Sequence, residues 1–142
     1  RARMLRGGDV ACGSAAAREG ADVDALMGIG GTPEGIITAC AVKTLGGVIQ
    51  GRLWPTSDEE KQKAIDAGHD LDRVLSTNDL VTSDNCYFAA TGITDGDLVR
   101  GVRYKKDRVL TQSIVMRSKS GTIRVVDGEH QSHKWESYAR LR

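Results

Sequence analysis

The chain has 142 residues, of which 27% are charged, and a formal net charge of +1. That length suits one domain with a real core, and the near balance of charge gives no bulk field to draw in nucleic acid or a membrane surface. No apolar run approaches the ~20 residues that span a bilayer, no signal-peptide pattern is present, and Cys12, Cys40 and Cys86 lack zinc-ligand spacing, so they read as reduced thiols in a cytosolic protein.

In chain order, residues 1–6 are ambiguous, with Met4-Leu5 as a possible strand end, and Gly7-Gly8 form a turn. Asp9 is then a candidate N-cap for an alanine-rich helix over residues 10–18. Residues 23–29 form an apolar run that reads as a buried strand. The glycine turn Gly28-Ile29-Gly30-Gly31-Thr32-Pro33-Glu34-Gly35 follows, with Thr32 as cap and Pro33 in the first helical position. The helix it opens runs from residue 33 to about 45, apolar nearly all round and therefore buried on more than one face. Gly46-Gly47 ends it.

Residues 48–53 suggest a strand. Ser57 and Glu60 have capping-box spacing for a solvated helix over residues 58–67. Leu71, Val74 and Leu75 suggest a helical turn or two, broken by Ser76 and Asn78. The second half is more β-like. A strand is expected over residues 86–90 and a turn-rich link over 93–98. A hairpin of 101–104 with 109–116 turns at 105–107, another turn falls at 118–121, and a strand covers 122–126. The tail from 127 to 142 is polar and partly helical.

Chemistry is most plausible where acids meet helix starts. Glu34 sits in the first turn of its helix, beside amides with no intrahelical partner and at the positive end of the helix dipole. Such an end suits a phosphate, and a carboxylate there can hold a metal against it. The same residues equally suit a plain tight turn with a charge-matched helix start. Asp9, at the other helix start, could share a hard cation and a phosphate ester with Glu34, although a simple N-cap is the commoner role for such an aspartate. Residues 117–124 carry cations and hydroxyls for an anion, but a solvated hairpin turn explains them better. Asp95 and Asp97 read as turn formers. His69, His130 and His133 read as surface residues. No Gly-x-Ser-x-Gly elbow is present, and the aromatics are too scattered for base stacking.

At residues 28–37 the chain resembles class II fructose-1,6-bisphosphatases. The likeness extends, in the same order, to residues 45–53, to 89–98 with 100–103, and to 113–124. The matching segments correspond to the C-terminal half of that family's protein. With Arg1 rather than Met at its start, the chain is expected to be a fragment.

The resemblance implies an α/β fold of the layered sheet-helix sandwich type shared by fructose bisphosphatase and inositol monophosphatase. It implies manganese- or magnesium-dependent hydrolysis of the 1-phosphate of fructose 1,6-bisphosphate to fructose 6-phosphate, in gluconeogenesis, by a cytoplasmic enzyme that is a homo-oligomer at full length. It makes Glu34 a metal ligand and Gly31 a substrate contact. Gly7, Gly8 and Asp9 match the family's Asp-Gly-Asp substrate motif, with Gly7 in place of the first acid. Because the family's other metal ligands lie in its N-terminal half, the isolated chain is expected to be inactive. The alternative is a non-catalytic remnant that binds phosphate or associates with a subunit. The resemblance does not separate fructose from sedoheptulose bisphosphate.

Overall fold

The computed structural model describes residues 9–18, 20 and 23–134. Residues 1–8 and 135–142, with the expected Gly7-Gly8 turn and the end of the polar tail, lie outside them. The molecule is α/β: two helices pack together, and one of them packs on an antiparallel sheet.

Helix α1 (Asp9–Ala16) and helix α2 (Thr32–Thr44) fall close to their expected positions. Asp9 is the first residue of α1. Helix α2 is capped by Gly31, with no side-chain hydrogen bond at the cap, so Thr32 is inside the helix and does not cap it. Pro33 and Glu34 occupy its first turn and Lys43 its last, each charge matching the helix dipole. The helix ends as the glycines require. Gly46 takes φ 75°, its amide donates to the Lys43 carbonyl at 3.2 Å, and the Gly47 amide reaches back to Val42 at 3.0 Å.

The two helices approach closely because Gly13 has no side chain: a Cβ there would lie 2.5 Å from the Thr38 methyl group. Just past the end of α1, the Ala17 Cβ lies 3.0 Å from where a Cβ on Gly47, just past the end of α2, would sit. The helices therefore run side by side in the same sense. On the two helices Ser14, Thr38 and Thr44 are buried without an unpaired hydroxyl, since each donates to a carbonyl of its own helix: Val10, Glu34 and Ala41.

The sheet is built on strand β5 (Arg108–Arg117). Strand β6 (Thr122–Gln131) pairs along its whole length, from Arg108↔Gln131 to Arg117↔Thr122. The turn between them has Gly121 at φ 59°. Strands β3 (Tyr87–Thr91) and β4 (Arg103–Tyr104) share the other edge of β5 end to end, β3 against residues 113–117 and β4 against 109–110. Phe88, Ile114 and Met116 from the sheet meet Ala41 of α2 and Leu98 of the 92–101 loop in one apolar core. Every apolar residue of β6 in the 123–126 stretch (Ile123, Val125 and Val126) is exposed.

Asp95 forms a turn, as expected: its carboxylate accepts from the Gly101 amide at 2.9 Å and faces Arg103 at 3.7 Å. Helix α3 (Asp58–Asp66) matches its predicted span and has no buried residue. Ser57 caps it by accepting from the Glu60 amide at 3.2 Å, whereas the Glu60 carboxylate accepts from Thr56 rather than closing the box on Ser57.

Three further expectations are corrected. Residues 23–29 form no strand: they are irregular and exposed, Met27 at 95%. A strand exists by pairing, and none of the described strands lies beside this run. The strand expected over 48–53 shrinks to β1 (Gln50–Gly51), paired with β2 (Leu75–Ser76). Ser76 starts a helix where a break was expected. It caps the short α4 (Thr77–Leu80) in a full capping box with Asp79, and no helix covers 71–75.

Candidate functional site at the start of helix α2

Glu34 is exposed and forms no ion pair among the described residues. Its carboxyl folds back over the helix start. A Cβ on Gly31 would come within 3.3 Å of Glu34 Cδ and closer still to Oε2. The absence of a side chain at Gly31 is what lets the carboxylate lie there, next to amides that the helix leaves without partners. Behind it, the Glu34 carbonyl accepts from the Thr38 hydroxyl at 2.8 Å and the Gly35 amide donates to the Gly31 carbonyl at 2.9 Å, fixing the first turn.

The helix pair brings the second acid to the same end. Glu34 lies one turn before Thr38 and Asp9 one turn before Gly13, the two residues in contact. With both helices running in one sense, Asp9 and Glu34 stand at their common N-terminal end. Gly7 and Gly8 fall outside the described residues. The described residues do not fit a complete divalent-metal site: no group of three or more His, Cys, Asp or Glu is arranged to hold an ion.

The other candidates resolve differently. In the 117–124 turn, the Ser118 hydroxyl accepts from the Cys86 amide at 2.8 Å and donates to the Asp84 carbonyl. Arg117 lies over the Tyr87 ring and donates to Asn85 at 2.9 Å. These groups are committed to holding β3 against β5, so the loop acts as a turn. A cavity of about 240 Å³ lies among Arg100, Arg103, Gln112 and Asp127, with no residue of α1 or α2 in its wall. Its polar groups satisfy each other. Asp127 accepts from Arg100 at 2.6 Å and from Gln112 at 2.9 Å, and hydrogen bonds from Gln112 first, then Arg100, hold its carboxyl below the usual range. The signal for this network was the run of charges at Asp95, Arg100, Arg103 and Asp127, too far apart in sequence to read as one group.

The start of α2, with its unpartnered amides and the positive end of its dipole, is a place where a helix can hold a phosphate. Residues 1–130 match the family described as bacterial fructose-1,6-bisphosphatase, glpX-encoded. The chain is 43% identical over 136 residues to a fructose-1,6-bisphosphatase class 2 of Haemophilus influenzae, covering 87% of this chain and 41% of that protein. It is 38% identical over 143 residues to a D-fructose 1,6-bisphosphatase class 2/sedoheptulose 1,7-bisphosphatase of Synechococcus, covering 92% of this chain and 41% of that one. The chain belongs to the bacterial, class 2 fructose-1,6-bisphosphatase family, and it spans about two fifths of the length of the curated relatives it matches.

Proposed function

We propose that these residues are the C-terminal part of a metal-dependent sugar-bisphosphate phosphatase. It hydrolyses the 1-phosphate of fructose 1,6-bisphosphate to fructose 6-phosphate in cytoplasmic carbohydrate metabolism, as part of a homo-oligomer. The observation that carries this reading is the Glu34 carboxylate, exposed and folded over Gly31 at the α2 start, in a chain of this family. In this reading the 142 residues form one unit of the family's layered sheet-helix sandwich. The exposed apolar residues of 23–29 and of β6 are where further layers would pack.

The roles divide as follows. The amides at the start of α2 hold the phosphate, with the helix dipole favouring its charge. Gly31 leaves room for substrate and for the Glu34 carboxylate. Asp9, with Gly7 and Gly8 before it, contacts sugar hydroxyls. Glu34 is one ligand of a Mn2+ or Mg2+ site. Such an ion supplies Lewis-acid polarisation of the phosphoryl group and a more acidic bound water. Because the described residues offer one placed carboxylate and no cluster of three, the other ligands come from outside them.

The isolated chain is therefore inactive. Incubated with Mn2+ and fructose 1,6-bisphosphate, it should release no phosphate above a Glu34→Ala control, and turnover that depends on Glu34 would refute this. A second reading, a non-catalytic chain that binds phosphate or a partner subunit, is favoured by Gly7 standing where the family has an acid. Acidic metal-ligand motifs encoded in frame upstream of Arg1 would support the enzyme, and a start codon near Met4 without them would support the remnant.

A further inference from the structure

Cys40 of α2 and Cys86, the residue before β3, are separated by 46 positions in sequence. The Cys86 Sγ lies 4.0 Å from the Cys40 carbonyl oxygen, so its sulfur rests against the Cys40 backbone. None of the three cysteines is in a disulfide.

Both backbones are pinned where they stand. The Cys86 amide donates to Ser118 Oγ at 2.8 Å, and its carbonyl accepts from the Ser118 amide at 3.0 Å. On the helix side, Lys43 Nζ donates to the Val81 carbonyl at 2.8 Å and to Asn78 at 2.9 Å, and faces Asp84 at 3.5 Å. These contacts tie α2 to the segment that ends at Cys86. Both thiols are half-buried, so a small oxidant can reach them.

From this juxtaposition we propose that Cys40 and Cys86 form a reversible disulfide that cross-links α2 to the start of β3. The proposal does not rest on the phosphatase reading. With a low-molecular-weight disulfide such as oxidised glutathione as oxidant, one protein thiolate attacks a glutathione sulfur. The glutathione S–S bond breaks, and one reduced glutathione leaves with the proton. The second protein thiolate then attacks the mixed disulfide at the protein sulfur, forming the Cys40–Cys86 bond and expelling the second reduced glutathione. Two protein thiols lose two electrons and two protons, and one glutathione disulfide gains them. A disulfide needs a sulfur–sulfur bond of ~2.05 Å, and the Cys86 sulfur already lies against the Cys40 backbone. Burial first, then the neighbouring Cys86, pushes the Cys40 thiol up, which leaves less of it as the attacking thiolate.

The test treats the 142-residue chain with oxidised glutathione and maps its peptides by mass spectrometry without reduction. The expected product is one cross-linked peptide pair joining Cys40 to Cys86, an intact mass lower by about 2 Da, and one thiol in place of three when titrated in denaturant. A reducing agent should restore all three. In Cys86→Ser, oxidation should instead leave a stable glutathione adduct on Cys40. A bridge to Cys12, a disulfide between chains, stable glutathione adducts on the unsubstituted chain, or three unchanged thiols would each overturn the proposal.

Discussion

Two glycines near the site lack side chains for different reasons, and substitution separates them. At Gly31 the space is filled by the Glu34 carboxyl, the end of a flexible side chain, and the backbone sits at φ −67°, which any residue adopts. Gly31→Ala should change the melting temperature little, while in a longer active chain it displaces Glu34 and lowers activity. Thermal melting together with phosphate release would check this. At Gly13 the obstacle is the Thr38 methyl, which cannot turn away without breaking the bond from its hydroxyl to the Glu34 carbonyl. Alanine gains about 1 kcal/mol in a helix interior, and overpacking costs about 1–3 kcal/mol. Gly13→Ala should thus destabilise the chain by about 1 kcal/mol despite its helix propensity. Thr38→Ser keeps the hydroxyl and removes the methyl, so the double variant should recover that loss in a denaturation experiment.

Individual elements differ in how well their causes could be read locally. Helices α2 and α3 were legible because their starts and stops are written in adjacent residues: Pro33, Glu34 and Gly46 for one, Ser57 and Glu60 for the other. The hairpin of β4 and β5 was legible for the same reason. The run over 23–29 failed because an apolar segment is a strand only if another strand lies beside it, and sequence alone does not say which neighbours are present. Ser76 reads as a breaker because its partner is Asp79 rather than a Glu or Gln, and the helix it caps has only four residues and no apolar period. That cap makes a prediction of its own. Hydrogen bonds from Ser76 first, then Arg73, hold the Asp79 carboxyl below its ordinary value. A depressed carboxylate contributes stability above its unfolded pKa and loses it as pH falls through the lower folded value. The α4 cap should therefore survive acidification through the usual carboxylate range and open only below it. Ser76→Ala should move the Asp79 titration, followed by NMR, back toward the ordinary value.

At the scale of the whole molecule, the site is legible only in part, because its parts come from distant positions. The glycine turn and Glu34 announce themselves in sequence. That Asp9 shares their end of the molecule follows only from the close, same-sense packing of α1 on α2 through Gly13 and Thr38. The described residues bring one carboxylate to a helix start and no cluster of three metal-binding groups, and the chain covers about two fifths of its relatives' length. On the proposed function, these residues are one side of a site that further residues complete. Phosphate release from fructose 1,6-bisphosphate with Mn2+ tests this most directly, measured for a longer active chain with and without Glu34→Ala. Losing a metal ligand that acts on the phosphoryl group should lower kcat at least about a hundredfold. Unchanged turnover in the Glu34→Ala variant would contradict the account.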